Sequence, residues 1–286
     1  DKMETLASKR KEAEKALIKE SQNVPFPGWE ALAEEKEEEG VRLVFTIRDA
    51  GGNVVNVMEE KPKQGVNRVN WNMRKMSKGA VTLPTGGRRG FRGRGMMVQP
   101  GTYSVTMGKK ENGVITNLTE SREFKLVPLR DGALPSKSKE DIMAFTTEFE
   151  KFQVEMTKVS TSFREADRKY KALETALSRV DENYGELTKM LYDAGKTYRS
   201  IDRSLNGDRI KDEIGERYEA TPSSAMWQGF SALNSSYGPT ASQIAVVRSA
   251  EGQLSEIADK VSQFHSTLDN IAKRMRESGA PWIQGF

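Results

Sequence analysis

The sequence predicts a multidomain α+β chain: an N-terminal charged helix, a small antiparallel Ig-like β-sandwich, and an elongated antiparallel helical bundle. Three observations lead there. The hydrophobic pattern is strand-like in the middle of the chain and turns into unbroken steps of three and four residues in its second half. Charge changes at the same places: residues 1–40 hold 7 basic and 11 acidic side chains, residues 41–130 hold 17 and 6, and residues 131–286 hold 21 and 24. The 286 residues are enough for about two domains of ordinary size. The expected organisation is therefore a helical linker over 1–40, a sandwich over 41–130 and a bundle over 131–286.

Residues 2–21 read as a helix with a thin apolar stripe of Leu6, Ala13, Ala16 and Leu17, which leans on something else rather than standing alone. Val24-Pro25-Phe26-Pro27-Gly28 stops it, since a residue before proline leaves the helical region. Trp29 to Glu39 reads as a short acidic helix.

Strands are expected over Val41 to Ile47, Val54 to Val57, Val66 to Met73, Thr102 to Met107 and Arg122 to Pro128. Asp49-Ala50-Gly51-Gly52-Asn53 forms the first turn. Asn112-Gly113 is the strongest short hairpin signal in the chain. Within 66–73, Val69, Trp71 and Met73 alternate with Arg68, Asn70 and Asn72, which gives one apolar face. Short strands at this spacing indicate a small sandwich.

Three apolar seams follow. The first runs through Ile142, Phe145, Phe149, Phe152, Met156, Val159, Phe163, Ala166, Tyr170, Leu173, Leu177 and Val180. The second takes Leu187, Leu191, Ala194, Tyr198, Ile201 and Leu205. The third takes Val247, Ala250, Leu254, Ile257, Val261, Phe264, Leu268, Ile271 and Met275. A period near 3.5 packs helices side by side at a shallow angle. The second seam is short, so residues 209–235 are expected to supply short helices that fill the gap, with breaks at Asn206-Gly207 and Gly238-Pro239.

Composition excludes particular chemistries. With no cysteine there are no disulfides, thiolate metal sites or cysteine nucleophiles. With one histidine, His265, a multi-histidine metal site is excluded, and a Ser-His-Asp relay would have to use that residue alone. No apolar run approaches the roughly 18–20 residues that span a bilayer. There is no signal-like N-terminal segment, and the start at Asp1 reads as a fragment or processed product.

The most conspicuous local feature is the loop 86–95, in which Arg88, Arg89, Phe91, Arg92 and Arg94 are spaced by five glycines. Such segments bind single-stranded nucleic acid by phosphate attraction and stacking. A solvated loop between two strands explains the same residues and is the favoured reading. An acidic protein partner is a third, since arginine forks match carboxylates.

Other candidates resolve into structural roles. His265 lies beside the third seam, at a flanking position, with no second ligand or base to pair with. Glu34, Glu35, Glu37, Glu38 and Glu39 read as solvated helix surface. Ser136-Lys137-Ser138-Lys139 satisfies S-x-x-K formally but reads better as a helix start, with Ser138 capping and Asp141 at the third helical position. Phe145, Phe149, Phe152 and Phe163 could line a ligand cavity, and core packing is the plainer account. Asn117 and Asn234 open formal glycosylation sequons. No catalytic, cofactor-binding or metal-binding residue is assigned, and no cofactor is expected.

Four stretches carry a family likeness: Val24-Pro25-Phe26-Pro27-Gly28-Trp29-Glu30-Ala31-Leu32; Val44 through Val55 with its Asp49-Ala50-Gly51-Gly52-Asn53 turn; Gly65-Val66-Asn67-Arg68-Val69-Asn70-Trp71-Asn72-Met73-Arg74; and Val98-Gln99-Pro100-Gly101-Thr102-Tyr103-Ser104-Val105. Together they resemble the C-terminal region of bacterial secreted proteins with sortilin-like, BNR-repeat β-propellers, often labelled glycosyl hydrolase. There an Ig-like module of the flagellar-hook-cap type follows the propeller, and a helical tail closes the chain. The likeness covers roughly residues 10–128, and the helical part matches more loosely.

The resemblance implies an exported protein of the periplasm, outer membrane or cell surface. It implies a non-catalytic scaffold or protein-interaction module whose partners are other proteins, an upstream propeller of the same parent chain, or both. An accessory or substrate-binding part of a propeller glycosidase is the alternative. Nucleic-acid binding through loop 86–95 is a second alternative. The family's surfaces of action lie mostly on the propeller, so no catalytic residue carries over.

Overall fold

Among the described residues, five antiparallel strands make one sheet in the first half of the chain, and a long helical region makes the second half. The computed structural model describes residues 5–81, 95–129, 135–217, 219–235 and 237–286. The chain divides into two compact units. The sheet unit takes Asp1–Met76 and Met97–Asp131, and the helical unit takes Ser77–Met96 and Gly132–Phe286.

In the sheet unit, helices α1 (Leu6–Lys19) and α2 (Trp29–Glu37) precede strands β1 (Arg42–Asp49), β2 (Val54–Glu60), β3 (Gly101–Glu111), β4 (Val114–Asn117) and β5 (Arg122–Leu126). The order is β2-β1-β3-β4, and β5 also pairs with β3, Tyr103 facing Phe124. β1 sits between β2 and β3, with Thr46 opposite Val57 on one side and Thr106 on the other. Asp49 closes the first turn by accepting the backbone N–H of Asn53 at 2.9 Å. Asn112 (φ 48°) and Gly113 (φ 76°) both take the left-handed conformation that a two-residue hairpin needs, which is why Asn-Gly stands there.

The expected strand over 66–73 does not form. That segment is irregular, and an isolated bridge between Arg74 and Met97 follows directly after it. Its asparagines bond locally instead of leaving the backbone to a ladder. Asn67 Nδ2 donates to the carbonyls of Lys63 and Gly65, and Asn72 Oδ1 accepts the Arg74 N–H. Met73 at φ 57° also turns the chain out of an extended path. The apolar logic survives in Trp71, whose ring meets Tyr103 and Phe124 edge-on at 5.7 and 6.1 Å and whose Nε1 donates to Arg74 O. It packs against a core of Ile47, Val55, Val98 and Tyr103.

The helical unit contains α3 (Lys139–Leu177), α4 (Tyr184–Asn206), α5 (Arg209–Glu213), α6 (Pro222–Asn234) and α7 (Ala241–Glu277). Ser138 caps α3 by accepting the Asp141 N–H at 3.0 Å. Thr221 and Thr240 open α6 and α7 with reciprocal capping boxes to Ser224 and Gln243. All nine residues of the third seam are buried, as are five of the six in the second.

α3 and α7, of 39 and 37 residues, run parallel: Glu148 pairs with Arg248, Ser162 meets His265, and Lys169 pairs with Asp269. α4 runs against both, since Glu186 bonds Arg274 near one end while Tyr198 stacks on Phe163 near the other. α6 continues in that direction, with Ser223 beside Asn206 and Phe230 against Phe149. At ~1.5 Å per residue the 23 residues of α4 and 13 of α6 match the length of the long helices. The breaks fall at Gly207 (φ 106°) and around Gly238 (φ 82°).

Candidate functional site

The Arg/Gly loop expected to carry a binding role lies outside the described residues, and with it Arg88, Arg89, Phe91, Arg92 and Arg94. The chain leaves the sheet unit at Met76 and rejoins it at Met97, and Met96 is buried in the helical core.

The four phenylalanines of the first seam are buried in the helical core. Gly229 explains how tightly one of them sits: a Cβ there would lie 2.0 Å from the Phe149 ring. His265 is a clip between helices. Its Nε2 lies 3.1 Å from both the hydroxyl and the carbonyl oxygen of Ser162. Glu35, one of the acids read as solvated surface, is engaged by Arg10, as described below. Among the described residues no group of three His, Cys, Asp or Glu side chains could hold a metal, and no helix is long and apolar enough to cross a membrane.

Tyr170 and Tyr198 stack at 5.7 Å in the middle of the helical unit, flanked by Phe163 and Phe264. Burial, reinforced by the nearby Asp167 charge, pushes the Tyr198 phenol up to about 12. Burial raises Tyr170 as well, with Glu174 adding to it. Both remain neutral at ordinary pH and act as packing groups.

The geometry that does stand out belongs to α1 and α2, neither of which buries a single residue. They lie antiparallel, joined by charge rather than by an apolar seam. Arg10 Nε donates to Glu35 Oε1 at 2.5 Å and Nη2 to Glu35 Oε2 at 3.1 Å, and the same guanidinium bonds Glu14. Glu38 accepts the Leu6 N–H at 2.8 Å. The Arg10 hydrogen bonds hold the Glu35 carboxyl below its ordinary range.

The connection between these helices carries Val24 and Phe26, and Trp29 opens α2, all three exposed. Phe26 is 61% and Trp29 79% exposed, and their rings meet edge-to-face at 5.0 Å. Pro25 and Pro27 restrict the backbone on either side of Phe26, and Gly28 at φ 91° aims the chain into α2. The result is an ion-paired helical hairpin with an apolar aromatic tip. The sequence reading used these residues as a helix stop and missed the tip. The available signal was two large aromatics framed by prolines with no apolar stripe to receive them.

No family model, curated protein or solved structure matches the chain.

Proposed function

We propose that the chain is a non-catalytic interaction module of an exported, cell-envelope-associated protein, and that it engages a protein partner through Phe26 and Trp29. The observation that carries this reading is the open aromatic pair at the tip of a helical hairpin that buries nothing of its own. Tryptophan is the residue type most enriched among binding hot spots. The edge-to-face contact and the two prolines hold the rings ready, which lowers the ordering cost of binding. α1 carries five basic and two acidic side chains and α2 four acidic and one basic, so the hairpin is charge-balanced and its apolar tip carries the recognition.

The finer fold belongs to the same proposal. The sheet with Trp71 laid across its core is consistent with an Ig-like sandwich, and α4 and α6 running against α3 and α7 with an antiparallel bundle. The envelope location and the identity of the partner, a separate protein or a propeller of the same parent, rest on the family resemblance.

The test is capture from an envelope extract by the wild-type chain, Trp29→Ala and Trp227→Ala. Trp227 is an equally open control on α6 at 70% exposure. The partner should be lost with Trp29→Ala and kept with Trp227→Ala, with circular dichroism unchanged in both. Equal capture by all three would overturn the assignment of the tip.

A further inference from the structure

We propose that the helical unit holds a small-molecule site for a planar aromatic ligand bearing an amide-like edge. A cavity of about 300 Å³ opens between α3, the end of α4 and α6. Its apolar walls come from Met156, Phe163, Leu205, Met226 and Phe230, and Gly79 and Ala80 flank it. This volume is at the lower end for small-molecule sites and suits one or two rings. Flat aromatic groups fit such walls well, because thioethers and ring faces both pack favourably on an aromatic surface.

The polar observation is Gln153. It lies on α3 between two seam positions, is 4% exposed, and lines the cavity. Its side-chain amide makes no hydrogen bond among the described residues, which leaves its donor and acceptor open to what fills the cavity.

The neighbouring polar groups do not compete for it. Thr157 Oγ1 donates to the Gln153 carbonyl at 2.8 Å, and Ser160 Oγ donates to Thr157 O at 3.2 Å. Ser223 Oγ donates to Asn206 Oδ1 at 2.8 Å, and Asn206 Nδ2 to Asp202 at 2.7 Å. Arg164 Nε donates to Ser160 O at 2.9 Å. Gln153 thus brings one N–H₂ donor beside one carbonyl acceptor to this wall. That pair is complementary to a ligand edge carrying an acceptor beside a donor, as a carboxamide does. Phe163 thus has two faces of work: it belongs to the first seam, and it also walls this cavity.

Benzamide and toluene are the probes, titrated into the full chain by calorimetry and by NMR of the side-chain amides. Benzamide should bind, and the Gln153 N–H₂ signals should shift with benzamide and stay in place with toluene. Gln153→Leu keeps a side chain of similar size at this nearly buried position and removes only the amide, so it should fold as the parent does. It should bind benzamide at least tenfold more weakly while leaving toluene binding unchanged. Met226→Trp fills the space and should abolish both. Failure of benzamide to bind the wild-type chain, unmoved Gln153 signals, or unchanged benzamide affinity in Gln153→Leu would each overturn the site. None of these readouts involves Trp29, so this proposal and the partner-binding tip fail independently.

Discussion

Helices α1 and α7 are both rich in charge, yet they stand at opposite ends of what a helix can be in a folded chain. α7 buries ten residues along one stripe, from Val247 to Met275. α1 buries none and is held to α2 by Arg10, Glu14 and Glu35. Spacing of apolar residues makes the difference, since tertiary burial supplies most helical stability in proteins. α1 and α2 bury nothing, and Phe26 and Trp29 stand open at the turn between them.

Emptying the core that α7 shares with α3, at Phe149 on α3, should break this contrast most strongly. Phe149→Ala should cost about 3–5 kcal/mol in the helical unit, read from its denaturation midpoint, with the sheet unit unaffected. Gly229→Ala forces a methyl into the Phe149 ring and should cost about 1–3 kcal/mol. Phe149→Leu in the same chain should return part of that loss, because the two positions share one contact.

A smaller effect is set by pH. The raised Tyr198 phenol binds its proton more tightly in the folded state, so its contribution is complete below pH ~10, the unfolded value. It is lost as pH rises through the folded value of about 12. Thermal melts of the helical unit should therefore fall across that window, and Tyr198→Phe should flatten the fall. Thr240→Ala removes the α7 cap and should cost about 1 kcal/mol. Smallest of all, Arg10→Ala should leave every melting transition in place and only speed amide exchange along α1 and α2.

The long helices were the most legible part of the sequence. Their seams repeat over many turns, so each position confirms the next, and the caps at Ser138 and the turn at Asn112-Gly113 have local chemistry of their own. The segment 66–73 misled because Val69, Trp71 and Met73 alternate as a strand would, while the decisive bonds run from asparagine side chains to nearby backbone. The grouping of Ser77–Met96 with the helices was hidden for a different reason. It depends on where Met96 finds a core, and a single methionine carries no periodic signal. The residues of the tip, Val24 to Trp29, are plain in the sequence, but exposure of an aromatic is decided by the absence of a receiving face, which only the fold displays. Gln153 was passed over because an amide one position off a seam looks like ordinary helix surface.

Residue-resolved hydrogen exchange on the free chain tests the central claim most directly. If α1 and α2 form an open hairpin that holds Phe26 and Trp29 out for a partner, their amides should exchange at least about a hundredfold faster than those of α7, equivalent to about 2.7 kcal/mol of local stability. Protection along α1 and α2 equal to that along α7 would contradict the claim, because it would mean the tip is already packed.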